Sequence, residues 1–217
     1  MKKLIILFSI LFLVDTVYGQ GYKPVKVDSL VTISLPVKNT KKDTLGQQIY
    51  SANTDLGYMI TILEPNAKGQ PLQEEKDLNS VLKKYVKGIQ SQSGNGSAQN
   101  VRDTTIGTLK AKAFTLFTKD PAGDDQYRNF VLLYTKDATY TFEYGYSGTR
   151  KELVKDEAKA YFSSIKLSPE LQRNDQYTET SASKGSSNNL VLEIGGGVLI
   201  IGLLAWLIFR KRSDELV

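Results

Sequence analysis

The sequence predicts an α+β protein: an antiparallel sheet of about six strands packed with two helices, plus one C-terminal transmembrane helix. Three observations carry this. Leu78, Val81, Leu82, Tyr85, Val86 and Ile89 recur with helical spacing, as do Leu153, Val154, Ala158, Tyr161, Phe162 and Ile165. The remaining apolar stretches are short, rich in β-branched and aromatic residues, and mostly joined by brief connections. Leu190–Phe209 is a run of twenty residues with a single charge, Glu193. At 1.5 Å per residue such a run spans about 30 Å, the hydrocarbon thickness of a bilayer.

In chain order, Lys2-Lys3 and the apolar run Leu4–Val14 have the form of a secretory signal, with Val17 and Gly19 as small residues before a cut ahead of Gln20. Gln20–Asp28 reads as an extended lead-in, because Pro24 blocks a helix. Ser29–Leu35 alternates as a strand and closes on Pro36, and Lys38–Gly46 is polar enough to be a loop. Gln48–Ala52 and Tyr58–Leu63 form the next two strands, around the turn-type residues Asn53–Gly57. From Gln73 the period becomes helical, with Glu74 and Glu75 in the first turn, where the helix dipole favours acids.

Gln92–Asn100 reads as a mobile loop and contains the sequon Asn95-Gly96-Ser97, which matters only in a eukaryotic source. Thr104–Thr118 carries strand signal in two pieces around Gly107. Arg128–Thr135 and Thr139–Tyr146 should pair as a hairpin and, being apolar on both faces in part, should be central. Thr149-Arg150-Lys151-Glu152 has capping-box form and should start a second helix with Leu153, Val154, Ala158, Tyr161, Phe162 and Ile165 buried. The expected division is signal 1–19, domain 20–168, flexible stalk 169–189, membrane helix 190–209 and tail 210–217.

A first strand closing on a proline (VTISLP), a helix between two strand triplets and a last helix ending AYFSSIKL resemble the PsbP-like, or Mog1-like, α/β/α domains over about Val27–Leu167. Bacterial domains of this kind include small extracytoplasmic lipoproteins. This chain departs from them in offering an apolar C-terminal segment where they use a lipidated cysteine. The resemblance implies an accessory, assembly or ligand-binding role without catalysis. The signal ending YGQ also resembles those of Bacteroidetes proteins.

Composition closes several chemistries. Neither Cys nor His occurs in the 217 residues, which removes disulfides, His- or Cys-based zinc and haem sites, and nucleophiles activated by histidine. The net charge of +5 falls to +4 over Gln20–Asn189, so nothing points to nucleic acid. Asp120, Asp124 and Asp125 offer oxygen ligands in one loop but lack the spacing of a calcium loop, and read as a solvated turn. Ser163, Ser164 and Lys166 invite a Ser–Lys dyad at a helix end with no oxyanion motif nearby. Lys76, Lys83 and Lys87 share a helix face that reads as solvated. Tyr140, Phe142, Tyr144 and Tyr146 line one side of a strand and read as core, with Tyr146 nearest the exposed end.

Arg210-Lys211-Arg212 abuts the apolar run, the signature of a cytoplasmic end, so the domain should lie outside the membrane. The resulting expectation is a membrane-tethered, extracytoplasmic binding or assembly module, with no catalytic, cofactor or metal residues. Its partners would be the lipid bilayer, through Leu190–Phe209, and an envelope protein. That protein would meet element ends near Asn95, Tyr146 and Arg150. Two alternatives stand beside it. One is an envelope enzyme using carboxylate, Ser or Lys chemistry. The other is a surface protein sorted or released through Gly195-Gly196-Gly197, the apolar helix and its basic end.

Overall fold

The computed structural model describes residues 21–67 and 72–178. The expected signal, the membrane helix Leu190–Phe209 and the tail 210–217 lie outside the described residues. Among those described, no helix is long and apolar enough to cross a membrane.

The fold is α+β, with ten strands among the described residues where the sequence predicts about six. Strands β3 (Thr40–Thr44), β4 (Gln47–Asn53), β5 (Tyr58–Pro65), β6 (Ser97–Ile106), β7 (Leu109–Lys119), β8 (Asp125–Tyr134) and β9 (Ala138–Ser147) form one antiparallel sheet in the order β3-β4-β5-β9-β8-β7-β6. Strands β1 (Tyr22–Lys26), β2 (Val31–Pro36) and β10 (Lys166–Leu167) form a second, in the order β1-β2-β10. Helix α1 (Glu75–Gln92) covers one face of the large sheet. The small sheet and α2 (Lys155–Ser163) cover part of the other, so two apolar cores flank the large sheet.

The helical reading holds for α1, whose six stripe residues are all buried. The β8–β9 hairpin is central as expected, closed by Thr135, whose N–H and hydroxyl both donate to the Ala138 carbonyl.

Five readings need correction, four of them local. The lead-in is strand β1; its Pro24 is tolerated because β1 pairs with β2 alone and lies at an edge. The polar loop Lys38–Gly46 contains β3, an edge strand whose exposed side chains carry no apolar alternation. The Gln92–Asn100 loop is short, since β6 begins at Ser97 and absorbs Asn100 (φ 52°) at a bulge between Gln99 and Arg102. The capping box does not form: Thr149 bonds the Ser147 hydroxyl at 3.1 Å, Gly148–Arg150 makes a 3-10 turn, and α2 starts at Lys155. Val154 takes the buried phase with Ala158, Tyr161 and Ile165, which leaves Leu153 66% exposed.

The largest correction concerns the stalk. Residues 169–178 belong to the domain. Leu171 packs into the α2-side core and Tyr177 into the core under α1, so the segment straps across one end of the large sheet. Between them Gln176, fully buried, accepts from the Lys110 N–H at 2.8 Å and donates to the Lys110 and Tyr134 carbonyls at 2.7 and 2.9 Å. Thr178 N–H then bonds the Leu72 carbonyl at 2.8 Å. Polar composition concealed this, because one glutamine here serves three backbone groups that β-pairing leaves over.

Candidate functional site

At the end of the large sheet opposite that strap, strand register places Ser97, Phe117, Tyr127 and Tyr146 in one line across β6, β7, β8 and β9. The residues alternate with those facing α1, so the line lies on the α2 side. There α2 and the small sheet pack against the β9 and β4 part of the large sheet, the 3-10 turn Gly148–Arg150 packs against β8, and Phe117 and Tyr127 stay half-buried.

The aromatic rings form a continuous chain from core to surface. Tyr161 and Tyr144 are buried, with ring centroids 6.4 Å apart; Tyr144 and Tyr146 follow at 6.1 Å. Tyr146 then stacks on Tyr127 at 5.6 Å and 17°, and Tyr127 meets Phe117 at 5.3 Å and 48°. Tyr146 is 8% exposed, and Tyr127 and Phe117 are half-buried. Lysines flank the outer rings: Lys151 lies 5.2 Å from the Tyr127 centroid and Lys119 5.8 Å from that of Phe117. Beside them the Thr115 hydroxyl donates to the Asn129 amide oxygen at 2.9 Å. Burial pushes the Tyr146 phenol above its ordinary value, so it stays a neutral donor near pH 7.

The residues singled out from sequence fall around this row. Tyr146 is in it. Asn95 sits in the exposed turn before β6, two residues before Ser97, the row's outer β6 position, which lies about 14 Å from Tyr146 by three strand spacings. Arg150 flanks the inner end, its Nη1 donating to the Asp55 carbonyl at 2.5 Å and tying the β4–β5 turn to the 3-10 turn. Phe117, Tyr127 and Lys151 were not legible as site residues, because only the strand register brings them beside Tyr146.

The chemical alternatives find other roles. Asp120 Oδ1 accepts from the Ala122 and Asp124 N–H groups at 3.0 and 2.9 Å, and Asp125 pairs with Lys119 at 2.6 Å, which makes a turn. The Ser164 hydroxyl donates to the Tyr161 carbonyl at 2.7 Å and accepts from the Ser34 N–H at 3.0 Å, so it is committed to backbone. Among the described residues no group of three acidic side chains stands close enough to hold a metal ion.

A second polar cluster escaped the sequence reading. On the α1 side Arg128 donates to both oxygens of Glu143, Nε to Oε1 at 2.6 Å and Nη2 to Oε2 at 2.8 Å, and Tyr58 donates to Oε1 at 2.9 Å. Arg128 is 5% exposed and Glu143 fully buried. Burial, and then the Glu143 charge, hold the Tyr58 phenol well above its ordinary value. The visible signal was a charge inside the apolar stretch TFEYGY, two residues before a glycine. Gly145 is required there, since an added Cβ would stand 2.1 Å from the Tyr58 ring.

This architecture has a solved counterpart. The solution structure of the cyanobacterial PsbP of Synechocystis sp. PCC 6803 aligns with a TM-score of 0.50 at 12% identity, covering 70% of this chain and 96% of that one. The fold is PsbP-like. A Pseudomonas aeruginosa protein of unknown function aligns at 0.45 and 10% identity over 70% of this chain and 99% of its own. A crystal structure from Bacteroides thetaiotaomicron aligns at 0.44 and 15% identity over 70% and 50%. No protein-family model and no curated protein matches the sequence. At these identities the likeness is one of fold, and the aromatic row of this PsbP-like sheet is argued from its own residues.

Proposed function

We propose that the chain is a membrane-tethered, extracytoplasmic binding or accessory module without catalytic activity, which meets an envelope protein through the Phe117–Tyr127–Tyr146 row. The signal-like start and the apolar run closed by Arg210-Lys211-Arg212 support the tether and the location. One observation carries the binding role: a chain of stacked rings that leaves the core and ends half-exposed at the β7–β8 end of the sheet. Aromatic anchors with a rigid inner end lose little side-chain entropy on docking and are enriched where binding energy concentrates. The buried Arg128–Glu143–Tyr58 cluster supports a non-catalytic reading, because its carboxylate is sealed from solvent and both oxygens are engaged.

Photo-reactive residues at Tyr127, Tyr146 and Asn95 in native membranes test this reading against residues at Lys83 and Lys87 on the exposed face of α1. A discrete product from the row, and none from α1, is expected. The reverse pattern would move the binding surface to the basic helix face.

A further inference from the structure

The structure assigns Asn95 as a site of spontaneous modification, where the side-chain amide is lost through ring closure with Gly96 and the residue becomes aspartate or isoaspartate. This goes beyond the binding reading and does not depend on it. Asn95-Gly96 is the only Asn-Gly step in the 217 residues. It lies in the bend between α1, which ends at Gln92, and β6, which starts at Ser97. Asn95 is exposed, and among the described residues neither its amide nor the Gly96 N–H makes a hydrogen bond.

The reaction has three requirements, and this bend meets each. The attacking atom is the Gly96 backbone nitrogen, which must first give its proton to solvent; an N–H held by a carbonyl would resist that. The Asn95 side chain must turn back onto its own main chain, which an exposed residue outside helix and strand can do. The next residue must also be small, because a side chain there crowds the closing ring, and glycine has no Cβ. On the other side Gly94, at φ 65°, has nothing within 4 Å of where a Cβ would stand, so the bend has room.

The bonds balance with water as the only co-reactant. Gly96 N bonds to Asn95 Cγ, the Cγ–Nδ2 bond breaks, and ammonia leaves after taking up a proton from solvent. Water then opens the succinimide at either carbonyl. Opening at Cγ gives aspartate. Opening at the main-chain carbonyl gives isoaspartate, whose backbone runs through the former side chain and is one methylene longer.

The fold keeps this step reactive. A Cβ at Gly96 would stand 1.9 Å from Ser93 Oγ, which donates to the Gln90 carbonyl at 2.6 Å, and 3.1 Å from the buried Leu116. Packing therefore demands glycine at 96. Asn100 makes the contrast: it is exposed in the same stretch, but it lies within β6 and precedes the β-branched Val101. Asn66 and Asn129 have side chains committed to hydrogen bonds.

The purified full chain, held for days at body temperature and mildly alkaline pH, is digested and its peptides read by mass spectrometry, with fragmentation that tells isoaspartate from aspartate. Conversion at Asn95 should exceed that at Asn100 at least tenfold, give both products, and slow several-fold at mildly acidic pH. It should also run within a few-fold of the rate in the same chain unfolded in guanidinium. A native rate more than tenfold below the unfolded one, or one no faster at Asn95 than at Asn100, would overturn the assignment, because the fold would then shield the step. Aspartate as the sole product would mean direct hydrolysis and would overturn the ring closure.

Discussion

Arg128 reaches diagonally from β8 to Glu143 on β9, in a two-point ion pair that spans the centre of the large sheet and excludes water. Arg128 lies opposite Gly145 and Glu143 opposite Phe130, so the pair forms only in the observed register of β8 and β9. A one-residue slip of β8 against β9 would leave the two charges on opposite faces of the sheet and separate the pair. Replacing one member alone leaves a buried charge without its partner. Glu143→Leu or Arg128→Met should each cost about 3–5 kcal/mol in urea melts, and the double replacement far less than the sum.

The strap should be needed for folding stability. A chain ending at Leu167 loses Leu171 and Tyr177 from the two cores and strands the backbone groups that Gln176 satisfies. Gln176→Ala alone leaves those groups buried and should cost about 2–4 kcal/mol. Comparing thermal melts of chains ending at Leu167 and at Thr178 checks this, and only the longer one should melt cooperatively well above room temperature.

Acid should loosen the same strap. Burial works against the charge of Asp175, but the Gln172 N–H at 2.9 Å and the Lys136 ammonium at 3.0 Å outweigh it and hold the carboxyl below its ordinary 3.8. The unfolded chain therefore takes up this proton first as pH falls. The contribution is complete above about pH 4 and is lost as pH drops through the lower folded value. Asp175→Asn should reduce the difference in melting temperature between pH 5 and pH 2.5; an unchanged difference would assign the acid sensitivity elsewhere.

Among the described residues the buried Tyr144 hydroxyl makes no well-formed hydrogen bond, with Thr54 and Glu157 only in its neighbourhood, and it lies against Gly57, where an added Cβ would stand 3.2 Å from it. Removing an unsatisfied buried hydroxyl while keeping its ring relieves a desolvation penalty. Tyr144→Phe should raise stability by about 1 kcal/mol, read from the urea midpoint at constant slope.

The parts of the fold that were legible in the sequence are those with one dominant apolar period. The stripe of α1 and the β8–β9 hairpin are of this kind. Strands β1 and β3 and the first part of β6, before Thr104, were hidden because edge strands expose both sides and need no alternation. The strap was hidden because its binding runs through Gln176 and Tyr177 within a polar tract. At the candidate site Tyr146 stood out by alternation along one strand. Phe117 and Tyr127 join it only across strands, and cross-strand register is set by turns and bulges such as the one at Asn100.

We propose that the binding function is carried by the Phe117–Tyr127–Tyr146 row. It is tested most directly by co-purifying the tagged full chain from native membranes and quantifying what accompanies it. Tyr127→Ala, half-exposed in the native protein, should leave the melt within about 1 kcal/mol of the wild type. It should nonetheless reduce a discrete accompanying protein at least tenfold, while Lys83→Ala with Lys87→Ala retains it. Full retention by the folded Tyr127→Ala chain, with loss in the lysine double variant, would contradict the account.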